Sequence, residues 1–165
     1  MECDMRTKRR IALAFVASIA LLSQVDAAVP RYTLIAAESI RWSNAPSILP
    51  AGAKMALLSG NPLRESAYVL RLKLPGGYML PAHTQTNDEN VTVISGRIHV
   101  GMGIKLDQAR AETLTAGAFV LIPRDTPHYA WTSAETIIQL HGIGPMNLNY
   151  VDQSDDPRRA KVVSD

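Results

Sequence analysis

Apolar residues fall in short alternating runs separated by turn residues, the pattern of strands that bury one face. Seven stretches read as strands: Lys54–Leu58, Tyr68–Leu74, Glu89–Ser95, Arg97–Met102, Gly117–Ile122, Tyr129–Thr132 and Thr136–Gly142. In the second, Leu70, Leu72 and Leu74 alternate with Arg71 and Lys73, as on a half-solvated strand. The separators carry turn chemistry: Gly60-Asn61-Pro62, Pro75-Gly76-Gly77, Ser95-Gly96, Thr115-Ala116-Gly117 and Pro123-Arg124-Asp125-Thr126-Pro127. Lys105–Glu112 is expected to form a turn or two of helix. Short strands at this spacing predict an all-β sandwich or barrel rather than a parallel α/β sheet.

Upstream, the pattern changes. Arg6, Lys8, Arg9 and Arg10 precede an apolar run of 12 residues, Ile11–Leu22, and small residues follow at Val25, Ala27 and Ala28. A basic start, a short apolar run and small residues at a cut site make residues 1–27 a signal peptide by expectation, with cleavage after Ala27 or Ala28. The run falls short of the ~20 residues that span a bilayer. Arg9-Arg10 leaves the twin-arginine route open beside the general one. The expected organisation is therefore a signal peptide over 1–27, one domain over 28–150 and a charged, Pro-interrupted tail over 151–165, surface-bound or mobile. The mature protein would be periplasmic or secreted, with no membrane association after cleavage. The single cysteine, Cys3, lies in the removed segment, so the domain must be held by its core alone.

Composition agrees with one folded domain: of 165 residues, 47% are hydrophobic and 19% charged. The net charge of +2 comes partly from the first 27 residues. Without them, 13 basic residues face 12 acidic ones. Such a balance carries no electrostatic footprint for nucleic acid. Phosphate-binding loops, a nucleophile elbow and Cys-rich zinc patterns are all missing from the sequence.

The candidate chemistry rests on histidine. Gly77 is followed by His83, Gln85, Glu89 and Gly96, and a second block runs Gly117, Pro123, Asp125 and His128. Side chains two apart on a strand share a face, so His83 and Gln85 can aim at one point. With Glu89 opening the next strand and His128 another, pairing around a barrel would gather two imidazoles, a carboxylate and an amide oxygen. That donor set suits a first-row divalent metal.

At these residues the chain resembles the cupin superfamily. Its first motif, Gly-x5-His-x-His-x3/4-Glu-x6-Gly, is matched by Gly77, His83, Gln85, Glu89 and Gly96. Its second, Gly-x5-Pro-x-Gly-x2-His-x3-Asn, is matched by Gly117, Pro123, Asp125, His128 and Thr132. The resemblance implies a jelly-roll β-barrel or sandwich. It also implies one divalent transition metal (iron, manganese or zinc) held by His83, Glu89 and His128, with Gln85 as a fourth or weak ligand. A homodimer paired through the 30–60 segment is a further implication. Three residues depart from the pattern. Gln85 replaces the usual second imidazole, Asp125 a glycine and Thr132 an asparagine. Asp at a glycine position implies a strained turn.

Other polar and aromatic residues admit both a site role and a packing role. Gln139 and His141 alternate with Ile138 and Leu140; if that polar face turns inward, His141 becomes a candidate general base, and otherwise it is structural. His99 is expected outside. Tyr78, Tyr129 and Trp131 are candidates for a pocket mouth or for packing, and Arg71 for a substrate carboxylate or for solvent. Asn90-Val91-Thr92 matches a glycosylation acceptor but falls within a predicted core strand. Two readings follow. One is a metal-dependent enzyme, of oxidoreductase type by family analogy, acting on a small oxygen-rich molecule. The other is a non-catalytic module that binds a small ligand with a weak or absent metal site.

Overall fold

A computed structural model describes residues 32–159. The predicted signal peptide and the last six residues of the tail lie outside these described residues. Eleven strands run in the order β1 (Ser43–Asn44), β2 (Lys54–Gly60), β3 (Ala67–Leu74), β4 (Met79–Thr84), β5 (Glu89–Ser95), β6 (Arg97–Met102), β7 (Glu112–Thr115), β8 (Phe119–Ile122), β9 (His128–Trp131), β10 (Thr136–Ile143) and β11 (Asn149–Tyr150). Among the described residues, only single turns of 3₁₀ helix interrupt them, at Ala37–Ser39, Gln108–Arg110 and Gln153–Asp155. The helical turn expected over Lys105–Glu112 shrinks to the middle one of these.

Two antiparallel sheets form, ordered β1-β2-β3-β10-β5-β8 and β11-β4-β9-β6-β7. They stay separate, so the molecule is a jelly-roll sandwich rather than a closed barrel. The period-2 pattern decides which faces meet. On β3, Tyr68, Leu70, Leu72 and Leu74 are buried while Arg71 and Lys73 are half-exposed. β10 lies between β3 and β5, pairing Leu140 with Leu70 and with Val91. From the opposite sheet, Ile98 and Val100 of β6 and Ala130 of β9 complete the core. A fully buried leucine such as Leu70 contributes about 2–3 kcal/mol relative to an exposed one.

Polar residues inside the sandwich are few, and one of them anchors the β5–β6 turn. Thr136 is fully buried at the start of β10, where its hydroxyl accepts from the Arg97 N–H (3.2 Å) and donates to the Arg97 carbonyl (2.7 Å). This ties the first sheet to the second at the β5–β6 turn. Gly96 makes that turn with φ +77°, and a Cβ there would press on the Glu135 carbonyl and Thr136. Segment 45–50 covers one end of the sandwich. Leu49 is buried there, and the Tyr78 and Tyr150 hydroxyls donate to the Pro50 and Ile48 carbonyls (3.0 and 2.8 Å).

The first part of the tail lies against the second sheet. The Val151 N–H donates to the Ala82 carbonyl (2.9 Å). Arg158 grips Asp156 through two bonds of 2.7 Å and reaches the Leu148 carbonyl at 3.1 Å. Among the described residues no helix is long and apolar enough to cross a membrane.

Candidate metal centre

His83 reaches the interior through an irregularity in β4. Leu80 pairs with Ala130 and His83 with His128, so three residues of β4 span two of β9. The extra residue is a bulge, and it falls at Pro81-Ala82, where a residue without an N–H costs the ladder nothing. Strict alternation from the inward Leu80 would have turned His83 to the outside. The bulge reverses the parity and sets His83 directly opposite His128. Glu89, Val91 and Val93 are the buried face of β5, so the carboxylate arrives from the other sheet. Gln85 lies just past β4, its carbonyl accepting from the Asp125 N–H at 2.8 Å.

The sequence-predicted ligands therefore come together. His83, Gln85, Glu89 and His128 are 1%, 7%, 9% and 3% exposed and line one cavity of about 50 Å³. One ligand atom from each of His83, Glu89 and His128 lies within 4.8 Å of the others. The two imidazole rings stand 4.1 Å apart, centroid to centroid.

Each imidazole is oriented from behind. His83 Nδ1 lies 2.8 Å from the Pro81 carbonyl, and His128 Nδ1 lies 2.9 Å from the Thr126 carbonyl. A carbonyl only accepts, so Nδ1 of each ring carries its proton and Nε2 is the atom that faces the cavity. At His128, Nε2 is 3.1 Å from Glu89 Oε2. Two acceptors do not sit at that distance unless a proton or a cation lies between them. In the metal-free protein it is a proton. Burial pulls the His128 imidazole down, but the hydrogen bond to Glu89 and its charge outweigh this and raise it. Burial likewise pushes the Glu89 carboxyl up, and the bond and charge of His128, the nearby His83 and hydrogen bonding from Gln85 overcome it. His83 is different. Burial, reinforced by His128, pushes its imidazole down to about 4, so it is neutral, and its buried Nε2 has no hydrogen-bond partner.

These features fit a divalent cation. A buried lone pair without a partner costs free energy that a Lewis acid recovers, and the His128–Glu89 proton marks where positive charge is already favoured. His83, Glu89 and His128 would hold the ion, with the Gln85 amide oxygen available beside them.

His141 is not brought to the cluster. It lies on the outer face of β10, between Val69 and Asn90, exposed and stacked on Phe119 at 6.5 Å. Ile138 and Leu140 take the inward positions, which corrects the reading of His141 as a base inside the pocket. Its neighbour Gln139 accepts from Arg71 Nε (3.1 Å) on the same outer face, so Arg71 is also away from the cavity. His99 lies outside, bonded to Thr113 and stacked on Trp131 at 4.8 Å. Tyr78 does line the cavity, whereas the Tyr129 hydroxyl bonds the Asp107 carbonyl. Asp125 adopts φ +59°, the left-handed turn expected where glycine is usual. Thr132, in place of asparagine, is buried and donates to the Pro75 carbonyl at 2.6 Å. The carbonyls of Pro81 and Thr126, which orient the rings, escape a reading of side chains; the only hint is that each lies two residues before its histidine.

Comparison with known proteins gives a family and a fold. A family model described as "Domain of unknown function (DUF4437)" matches residues 29–148. No curated protein matches the chain. Among solved structures, the polyketide cyclase RemF from Streptomyces resistomycificus superposes with a TM-score of 0.65 at 16% identity, over 79% of this chain and 93% of that one. An acetylacetone dioxygenase from Acinetobacter johnsonii gives 0.58 at 18% identity, over 77% and 81%. An RmlC-like cupin from Shewanella frigidimarina NCIMB 400 gives 0.54 at 17%, over 70% and 92%. The fold is that of the cupin superfamily.

Proposed function

The chain belongs to the DUF4437 family, and we propose that within its cupin fold it is a metal-dependent enzyme acting on a small molecule that offers oxygen donors. The observation that carries this is the His83 Nε2 lone pair, buried without a partner beside the His128–Glu89 pair. His83, Glu89 and His128 would hold one divalent transition ion and leave positions open, the arrangement of many non-haem iron sites. When bound, such an ion supplies Lewis acidity and, if iron or manganese, a redox centre. The protein does the rest. Two backbone carbonyls fix the imidazole rings, Glu89 supplies the one anionic ligand, and the apolar walls keep bulk water out. Oxidoreductase chemistry is the reading favoured here, supported by the dioxygenase among the structural neighbours.

Metal titration by calorimetry into chelator-treated protein tests this. Wild type should take up one equivalent of manganese, iron(II) or zinc. His83→Ala and His128→Ala should weaken uptake at least tenfold, with Glu89→Gln close behind. Gln85→His should tighten it, about tenfold for 1.4 kcal/mol, because imidazole is the better donor to late first-row ions. If His83→Ala binds metal as wild type does, the cluster is not the site. If metal binds but no substrate is turned over, the domain is a ligand-binding module instead.

A further inference from the structure

The walls around the metal ligands show what the site can accept. Nineteen residues line the cavity, and only His83, Gln85, Glu89 and His128 bear a strongly polar group into it. The others are apolar or aromatic, among them Leu72, Leu74, Ile98, Val100, Ile138 and Leu140. Lys and Arg do not occur among these residues. The basic side chains adjacent in sequence to the lining are Arg71, Lys73 and Arg97: Arg71 bonds Gln139, Lys73 Nζ lies over the Trp42 ring at 4.8 Å, and Arg97 is exposed.

Charge bookkeeping then limits the ligand, on the proposed reading that a divalent ion occupies the cluster. The ion carries +2, the Glu89 carboxylate −1 and the imidazoles nothing once each Nε2 serves as a ligand, leaving +1 in an apolar chamber. A ligand with one negative charge, placed on the oxygens that meet the ion, cancels it. A second carboxylate or a phosphate would be desolvated among leucine and isoleucine side chains with no Lys or Arg to meet it. The many hydroxyls of a sugar would meet the same apolar wall. We propose that the site selects monoanionic oxygen chelators with a hydrocarbon body, such as 2-hydroxy acids or enolates bearing alkyl groups, and rejects diacids, phosphates and sugars. This narrows the oxygen-rich ligand expected from the sequence.

Two probes isolate the charge. 2-Hydroxy-4-methylpentanoate and malate share the 2-hydroxy acid head, and an isopropyl group in one stands where a carboxylate of the same shape stands in the other. Each is titrated into full-length protein loaded with manganese, with binding followed by calorimetry and by water-proton relaxation, after uptake of one metal equivalent has been verified. The alkyl acid should bind at least tenfold more tightly than malate. Equal or tighter binding of malate overturns the inference while leaving the metal site intact, and so does failure of both acids to bind the loaded protein. Failure to take up metal is a different result: it removes the proposed function and this inference with it.

Discussion

A buried, neutral histidine whose Nε2 lacks a partner should make metal-free protein sensitive to acid in a particular window. The His83 imidazole is pushed from its ordinary 6.5 down to about 4 by burial and by His128. Between these values the unfolded chain takes up a proton at this position that the folded chain refuses. Stability therefore falls as pH drops from about 6.5 to about 4, and below 4 this contribution is fully lost because both states are protonated. At 1.36 kcal/mol per pH unit the gap amounts to about 3 kcal/mol. That is a large part of the 5–15 kcal/mol that holds a typical domain. The perturbation is His83→Leu, which replaces the ring with an apolar side chain that does not titrate. Urea unfolding of chelator-treated wild type and variant, at half-unit steps from pH 7.5 to 4, gives the two stability curves. Groups not coupled to His83 contribute equally to both and cancel, so the difference reports His83 together with its coupling to His128 and Glu89. The wild type should lose about 3 kcal/mol more than the variant across the window. Parallel curves would refute the argument, and so would an NMR titration of His83 near 6.5. Saturating metal should leave the difference in place or enlarge it, because bound metal keeps a proton off Nε2 while the unfolded chain still takes one up.

Other residues give independent checks. Thr136→Val removes the hydroxyl that both accepts from and donates to Arg97, orphaning two backbone groups; calorimetric unfolding should report a loss of about 2 kcal/mol or more, and Thr136→Ser should keep most of the stability. Asp125 sits at φ +59°, so Asp125→Gly should leave stability unchanged or raise it by up to about 1 kcal/mol, whereas Asp125→Val should lower it by more than about 1 kcal/mol. Because the Asp125 N–H holds the Gln85 carbonyl, the valine variant should also weaken metal uptake, and unchanged affinity would break that link. Export is proposed from residues 1–27, and N-terminal sequencing of protein from its native host should begin at Ala28 or Val29; an intact basic start on exported protein would refute it.

The strands most legible in sequence were those whose alternation is unbroken. Glu89–Ser95 and Arg97–Met102 fold over the stretches their pattern predicts, with Val91, Val93, Ile98 and Val100 inward. The others shift by a residue or two at their ends. β1, β4, β7 and β11 were not anticipated: β1, β7 and β11 are only two to four residues long and too short to show a period, and Pro81 interrupts β4. The candidate metal cluster was legible through the resemblance: the intervals of His83, Glu89 and His128 from the neighbouring glycines and Pro123 are those of the two cupin motifs.

Two decisions belonged to the tertiary structure alone. Read by alternation, Met79–Thr84 is a poor strand, since Pro81 interrupts it and its apolar residues keep no period. Only pairing with β9 shows that the interruption is a bulge, and the bulge is what turns His83 inward. His141 is the converse case. Its strand alternates cleanly, but alternation says that Gln139 and His141 share a face without saying which face. That choice was made when Ile138 and Leu140 packed against the opposite sheet, because burying two large aliphatic side chains outweighs burying an amide and an imidazole that lack partners. Residue types and their intervals along the chain thus determined which groups could form a metal centre. Which of them face one another depended on strand pairing, a contact between segments distant in sequence that no local pattern encodes.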